Sequence, residues 1–304
     1  MPIKRALLIG AVETTRIAFE ALMRHPDWRV ETLVTLAPGL CERHSDFVDV
    51  GRVAREQDCP VILVDNINRD DALAAMDGID PDLVFVMGWS QICGPRFLAR
   101  FVDRIIGFHP AALPRLRGRA AIPWTILQQE PITASTLFWI DQGTDTGAVL
   151  DQHFFHVAPL ETAASLYARH MAALALMLDR SLGPLARGEM PHLAQDERCA
   201  TWAARRTPMD GMIDWQRPAA DVARLVRASG HPYPGAFTRM NGMQLHIWSA
   251  IPGEGGARHL AQPGQVVARA ADGFHVMCGQ GTLLSVTEWS GTDKPPRLHV
   301  MLGD

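Results

Sequence analysis

The 304-residue chain has no CxxC pair, no membrane-length apolar run, no glycine fingerprint for a dinucleotide and no excess charge of one sign. Each absence removes a class of protein. The five cysteines (Cys41, Cys59, Cys93, Cys199 and Cys278) are odd in number and scattered, which suits reduced thiols and not a disulfide framework. A membrane helix needs about 18 consecutive apolar residues, and no stretch approaches that. The start, MPIKRALLIGAVE, resembles a signal peptide only superficially, because its apolar run is brief and leads into a charged amphipathic segment. The expectation is a soluble, cytoplasmic protein. A net charge of −4 gives no general reason to expect a nucleic-acid or acidic-membrane partner. After the first apolar run the chain reads LLIGAVETTR, with a single glycine where GxGxxG would cradle a pyrophosphate, so NAD or FAD is not expected. No metal is expected either, and there is no internal repeat.

What is present is an ordinary globular composition, 47% apolar and 20% charged, in a chain long enough for two domains. The first hundred residues alternate between two periods. Ala6 to Ile9, Val30 to Leu36, Val61 to Val64 and Leu83 to Met87 read as buried strands. Thr14 to Met23, Phe47 to Gln57 and Arg69 to Met76 read as the helices between them. This alternation predicts an α/β fold, a Rossmann-like and mostly parallel sheet covered on both faces. A hairpin-like pair follows at Ile132 to Ile140 and Ala148 to Val157, then a long helix over Thr162 to Leu185. The expected division is a catalytic domain over 1–190, a polar linker over 191–209 and a second domain over 210–304. There a helix at Ala219 to Ala228 precedes several short strands with glycine-containing turns, the pattern of a small barrel.

Ligands of doubly wound sheets bind beyond the carboxyl ends of the strands. One such end carries IIGFHPAALPRLRGRAAIPW, residues 105 to 124. His109 is held extended by Pro110, Pro114 stiffens the next turn, and Gly118 permits one that a larger residue would resist. A loop so constrained holds its side chains still, as a catalytic site requires. Taken alone, His109 reads equally well as a strand-capping residue, and Asp145 in Gly143-Thr144-Asp145-Thr146-Gly147 as an Asx turn. Arg117 reads as a structural ion pair or as a contact to substrate phosphate or carboxylate. Trp124 reads as core, and core packing is one reading of Trp139.

Together, H-P-x-x-L-P-x-x-R-G from His109, Trp124, and D-x-G at 145 to 147 resemble the formyltransferases that use 10-formyltetrahydrofolate. The separation of 36 residues between His109 and Asp145 suits that pattern. Asp80-Pro81-Asp82-Leu83, Asp210 to Trp215, and Arg227 with Pro232 to Phe237 continue the likeness, the last two toward members with a second, OB-like barrel domain. The resemblance implies His109 and Asp145 as the catalytic pair. His109 would shuttle protons and polarise the formyl oxygen, and Asp145 would orient the ring or relay through water. A histidine suits this work because its ordinary pKa, ~6.5, lies near working pH. The resemblance places the folate against Met87, Gly88, Trp89, Ser90, Gln91 and Ile92 and against Asp141, Gly143 and Thr144. Gly107, Pro110 and Arg117 are expected on the acceptor side. One position departs: where the family has Asn, this chain has Gly107, whose backbone N–H or a water in the space beside it is expected to substitute.

The expected activity is N-formylation of a small amine, a nucleotide-linked amino sugar or a hydroxyornithine-type siderophore precursor. Hydrolysis of the formyl-folate, formylation of methionyl-tRNA, and folate binding without catalysis are the alternatives. From Arg206 onward there are nine basic residues against eight acidic ones, nine minus eight leaving +1, which does not mark an RNA-binding domain. Oligomeric state has no signal in the sequence.

Overall fold

The structure, a computed structural model, describes residues 2–43, 46–270 and 272–303. Its chain clusters into two compact units. Met1–Ala121, Ile132–His156 and Tyr167–Ala204 form the first; Ile122–Pro131, Val157–Leu166 and Arg205–Asp304 form the second.

The first part of the chain runs β1 (Lys4–Ile9), α1 (Glu13–Arg24), β2 (Trp28–Leu36), α2 (Val50–Arg55), β3 (Val61–Val64), α3 (Asp70–Ala75), β4 (Leu83–Val86), α4 (Pro95–Arg100) and β5 (Ile105–His109). After them come β6 (Arg117–Gly118), α5 (Ala121–Leu127), β7 (Ile132–Trp139), β8 (Val149–His156), the long α6 (Ala163–Ala186) and β9 (Trp202–Ala203). Seven strands form one sheet in the order β3-β2-β1-β4-β5-β7-β8, parallel through β5 and antiparallel beyond it. The order reverses between β1 and β4, so the ligand crevice of such a sheet opens beyond those two strands and their neighbour β5.

The apolar run of β1 is explained by burial on both faces. Ala6 and Leu8 pack with Phe19 and Leu22 of α1 and Leu174 and Met177 of α6, whereas Leu7 and Ile9 face Leu73 of α3 and Phe97 of α4. Each fully buried aliphatic side chain of this kind contributes about 1.5–3 kcal/mol. The helix expected over Phe47 to Gln57 is shorter, because Asp49 caps it: its side chain accepts from Arg52 N at 3.0 Å. Two short helices lie outside the expectation. α4 starts on a proline at its first position, a start signal with no long apolar period behind it. α5 grows out of the proline- and arginine-rich stretch itself.

α6 carries one fully buried polar residue. His170 Nδ1 lies 2.8 Å from Ser135 Oγ, its ring meets Phe155 edge-on, and Nε2 has no partner. Burial, then the nearby His109 and Arg169, pushes its pKa down to about 3. An unfolded histidine titrates near 6.5, so between those values the unfolded state binds the extra proton. Stability is therefore lost as pH falls through that window, by up to about 1.4 kcal/mol per unit. Denaturant midpoints of His170→Gln should fall less steeply than wild type between pH 6 and pH 4. Parallel slopes would show that His170 contributes nothing to acid sensitivity.

The second unit holds α7 (Ala219–Ser229) and the strands β10 (Ala236–Met240), β11 (Met243–Gly253), β12 (Val266–Ala270), β13 (Gly273–Met277) and β14 (Leu283–Ser290). The sheet is antiparallel in the order β10-β11-β14-β13-β12. The chain end links its two edges: Gln265 bridges Met301 beside β12, and Gly303 N donates to Arg239 O of β10 at 2.8 Å. The result is a small barrel-like domain around Trp215, Val222, Val226, Ile247, Phe274 and Leu284. Among the described residues no helix is long and apolar enough to cross a membrane.

Candidate active site

β5 ends at His109 because Pro110 has no N–H with which to continue the ladder. His109 sits opposite Thr136 of β7 and is 5% exposed. The loop that follows is pinned from β7 and β8. Thr136 Oγ1 donates to Ala111 O at 2.7 Å, and Gln152 Nε2 donates to Leu113 O at 2.8 Å. The loop then brings Leu116 O to 2.7 Å from His109 Nε2. A carbonyl only accepts, so Nε2 carries the proton and Nδ1 is left as the nitrogen that can gain or lose one. Nδ1 lies 3.5 Å from Asp145 Oδ2.

Asp145 is delivered by the turn after β7. Asp141 Oδ1 accepts from Gly143 N at 3.0 Å and from Thr146 Oγ1 at 2.7 Å, closing the turn, and Asp145 takes a left-handed φ of 56°. Gly147 ends it against the backbone of Trp139, where a Cβ would lie 1.7 Å from the carbonyl oxygen. Asp145 Oδ2 accepts from Gly118 N at 2.7 Å, so its carboxylate spans the two loops. The structure thus places the histidine and aspartate of the two motifs side by side, with a fixed tautomer on one and a fixed oxygen on the other.

Several expected contacts fall elsewhere. Arg117 does not face the acceptor. It is 1% exposed, and its guanidinium is bound by Glu197 (Nη1 to Oε2 2.9 Å, Nη2 to Oε1 2.6 Å) and by Gln195 Oε1 (Nε 3.1 Å, Nη2 2.8 Å). Four of its five N–H donors are so used and the group is buried, so the structural ion pair is the reading that holds. Gly107 does not leave room for a water on its side-chain face. A Cβ there would lie 2.9 Å from Ile140 Cδ1 and 3.0 Å from Phe138 Cε1, and the residue is paired on both sides, with Val86 and Phe138, so its backbone groups point along the sheet. That position is therefore apolar and closed, and it offers no side-chain donor. Met87 is fully buried, its N–H bonded to Ile9 O and its carbonyl to Thr15 Oγ1, so it belongs to the sheet and not to a ligand surface. Gly88 packs on Val12 and Thr14. Gln91 is spent on the neighbouring loop, accepting from Ile67 N at 3.2 Å and donating to Asp65 O at 2.7 Å. Asp141 serves the turn. Trp89, Ser90, Ile92, Gly143, Thr144 and Pro110 keep some exposure at the strand ends. Trp124 is half-buried beneath Arg206, and Trp139 is core, its Nε1 donating to Pro191 O at 2.7 Å.

The segment expected as linker is part of the site's wall. Arg117 N donates to Thr201 O, Leu116 N to Thr201 Oγ1 and Arg119 N to Ala203 O, so β9 runs beside β6. Gln195 Nε2 donates to Asp145 O at 2.9 Å and to Gly147 O at 2.7 Å. A buried arginine requires an acceptor, and that requirement was the available signal, but nothing local in the sequence names residues about 80 positions away. Among the described residues no cluster of His, Cys, Asp or Glu could hold a metal.

Residues 28–178 match the formyl transferase family, and residues 206–296 match the formyl transferase C-terminal domain. The chain belongs to the formyl transferase family. Among solved structures it is similar to HypX from Aquifex aeolicus, at 19% identity and a TM-score of 0.65 over 94% of this chain and 46% of that one. This chain therefore spans about half the length of that relative. It is also similar to the N-formyltransferase from Helicobacter canadensis, solved with folinic acid and dTDP-3-aminofucose, at 15% identity and a TM-score of 0.69 over 94% of this chain and 99% of that one. Phosphoribosylglycinamide formyltransferase from Anaplasma phagocytophilum matches at 20% identity and a TM-score of 0.54, over 62% of this chain and 89% of that one. At these identities the likeness to each structure is one of fold.

Proposed function

We propose that this protein moves a formyl group from 10-formyltetrahydrofolate to the amine of a small molecule, with His109 and Asp145 as the catalytic pair. The observation that carries the reading is the pair itself: His109 Nδ1 3.5 Å from Asp145 Oδ2, at the end of β5, with Nε2 fixed on Leu116 O. When bound, the folate supplies an activated formyl carbon. Trp89, Ser90 and Ile92 on one loop and Gly143 and Thr144 on the other are the residues we assign to hold it. Trp89 Nε1, buried without a partner, suits a polar ring edge there.

His109 Nδ1 takes up the proton that the attacking amine loses, and Asp145 stabilises the imidazolium so formed. In that state the ring is the positive group beside the developing oxyanion, and it then gives its proton to the leaving nitrogen. The acceptors to try first are nucleotide-linked amino sugars and hydroxyornithine-type siderophore precursors. A methionyl-tRNA is disfavoured by the nine-to-eight balance of basic and acidic residues from Arg206 onward. The test is incubation with 10-formyltetrahydrofolate and each amine while tetrahydrofolate release is followed. Release should depend on amine. Release of formate at the same rate without any amine would show a hydrolase, and no release under either condition would sink the catalytic reading.

A further inference from the structure

Gln195 stands at the centre of the wall described above, and all of its hydrogen-bonding capacity is used. Its Oε1 accepts from Arg117 Nε and Nη2, and its Nε2 donates to Asp145 O and Gly147 O. An arginine can only donate and a carbonyl can only accept, so the amide has a single orientation that satisfies all four contacts. Arg117 is itself immobilised. Both of its terminal nitrogens bind Glu197, and the Trp202 ring lies 5.8 Å from the guanidinium carbon. The same stretch of chain also touches the other half of the pair. Thr201 Oγ1 accepts from Leu116 N, and Leu116 O is the group that fixes His109 Nε2.

We propose that Gln195 is a positioning residue for Asp145, its amide set by Arg117 and Glu197, and that residues 195–203 form a clasp setting the geometry between Asp145 and His109. This rests on the reading of His109 and Asp145 as the catalytic pair. The two N–H bonds from Gln195 hold the carbonyls on either side of Thr146. They thereby keep Asp145 in its left-handed conformation, with Oδ2 turned toward the ring. A carboxylate displaced by about 1 Å can cost on the order of a hundredfold in rate, so the effect should fall on turnover more than on folate affinity.

The experiment uses the full chain with 15N-labelled histidine. Gln195→Leu removes all four bonds. Gln195→Glu keeps the acceptor for Arg117 and turns a second acceptor against the two carbonyls, and it serves as the second probe if the leucine variant fails to fold. Asp145→Asn is the reference. Both Gln195 variants should shift the His109 Nδ1 resonance as Asp145→Asn does. They should lower kcat for formyl transfer by about 10–100-fold while leaving KM for 10-formyltetrahydrofolate within about threefold. Added to Asp145→Asn, Gln195→Leu should cost no more than about a further twofold, because residues acting as a unit are not additive.

An unmoved His109 resonance in the Gln195 variants, when Asp145→Asn moves it, would overturn the proposal; so would losses that multiply in the double variant. If instead the resonance moves in every variant but Asp145→Asn leaves turnover intact, the positioning stands and the catalytic role of Asp145 falls.

Discussion

Replacing His109 with alanine should lower formyl-folate turnover by about 10²–10⁴-fold, the range typical of a positioned acid–base group. Asp145→Ala should lie in the same range. His109→Gln is the sharper variant. Its amide can still donate toward Leu116 O, as Nε2 does at 2.7 Å, but it offers no nitrogen that takes up a proton. If the ring matters for proton transfer, the glutamine variant should lose nearly as much as the alanine one. If the ring matters only for holding the loop, glutamine should recover most of the rate. The two residues meet at 3.5 Å and, in the mechanism proposed above, act on one proton, so the His109→Ala/Asp145→Ala double variant should be little worse than the poorer single one. Steady-state rates for the four proteins, with thermal melts to show that each is folded, decide the matter. Near-normal turnover in His109→Ala would remove the histidine from the mechanism.

The largest loss of stability is expected at Gly147→Ala. The added methyl would lie 1.7 Å from Trp139 O and 2.9 Å from the carbonyl carbon, backbone against backbone, so no rotamer change can relieve it. The turn must move away from β7, taking with it the Gln195 bond to Gly147 O and the conformation of Asp145. A cost above about 4 kcal/mol is exceptional for one methyl group and is what such a clash implies. Each 1 kcal/mol lowers the melting temperature by about 2–4 °C in a domain of this size. Gly39→Ala is the control, since a Cβ there meets nothing within 4 Å and its φ is not in the left-handed region. That variant should stay within about 0.5 kcal/mol of wild type. Equal melting temperatures for the two variants would show that the turn has slack the geometry denies.

The sequence made the sheet legible because its strands are buried on both faces. Leu7 and Ile9 on one side, Ala6 and Leu8 on the other, leave an uninterrupted apolar run that ends at Gly10. His109 and Asp145 were legible as candidates only together, through the resemblance of their two motifs, because the stiff and turn-forming residues around each also suit a strand cap and an Asx turn. What it could not show are pairings decided in three dimensions. Arg117 could have faced a phosphate or a carboxylate of its own chain. The choice was made by Glu197, 80 residues on, in a stretch whose polarity reads locally as linker. Met87 and Gln91 lie in the expected loop, yet one is drawn into the sheet and the other into its neighbour's backbone, and no spacing rule separates them from Trp89 and Ser90. α5 was hidden for another reason: seven residues are too few for a helical period to appear.

The packing of Ile140 against Gly107 also bears on which sequences can be reached from this one. An asparagine at 107 would drive its Cβ into Ile140 and Phe138, so the single change from glycine begins with an overpacked interior, a cost of about 1–3 kcal/mol. Shortening Ile140 first would open a void beside the glycine, and a void in a packed interior also carries a cost. Neither order of steps is free. Positions 107 and 140 are therefore tied in a small ratchet, and an asparagine at 107 is reached at least cost when both residues change together.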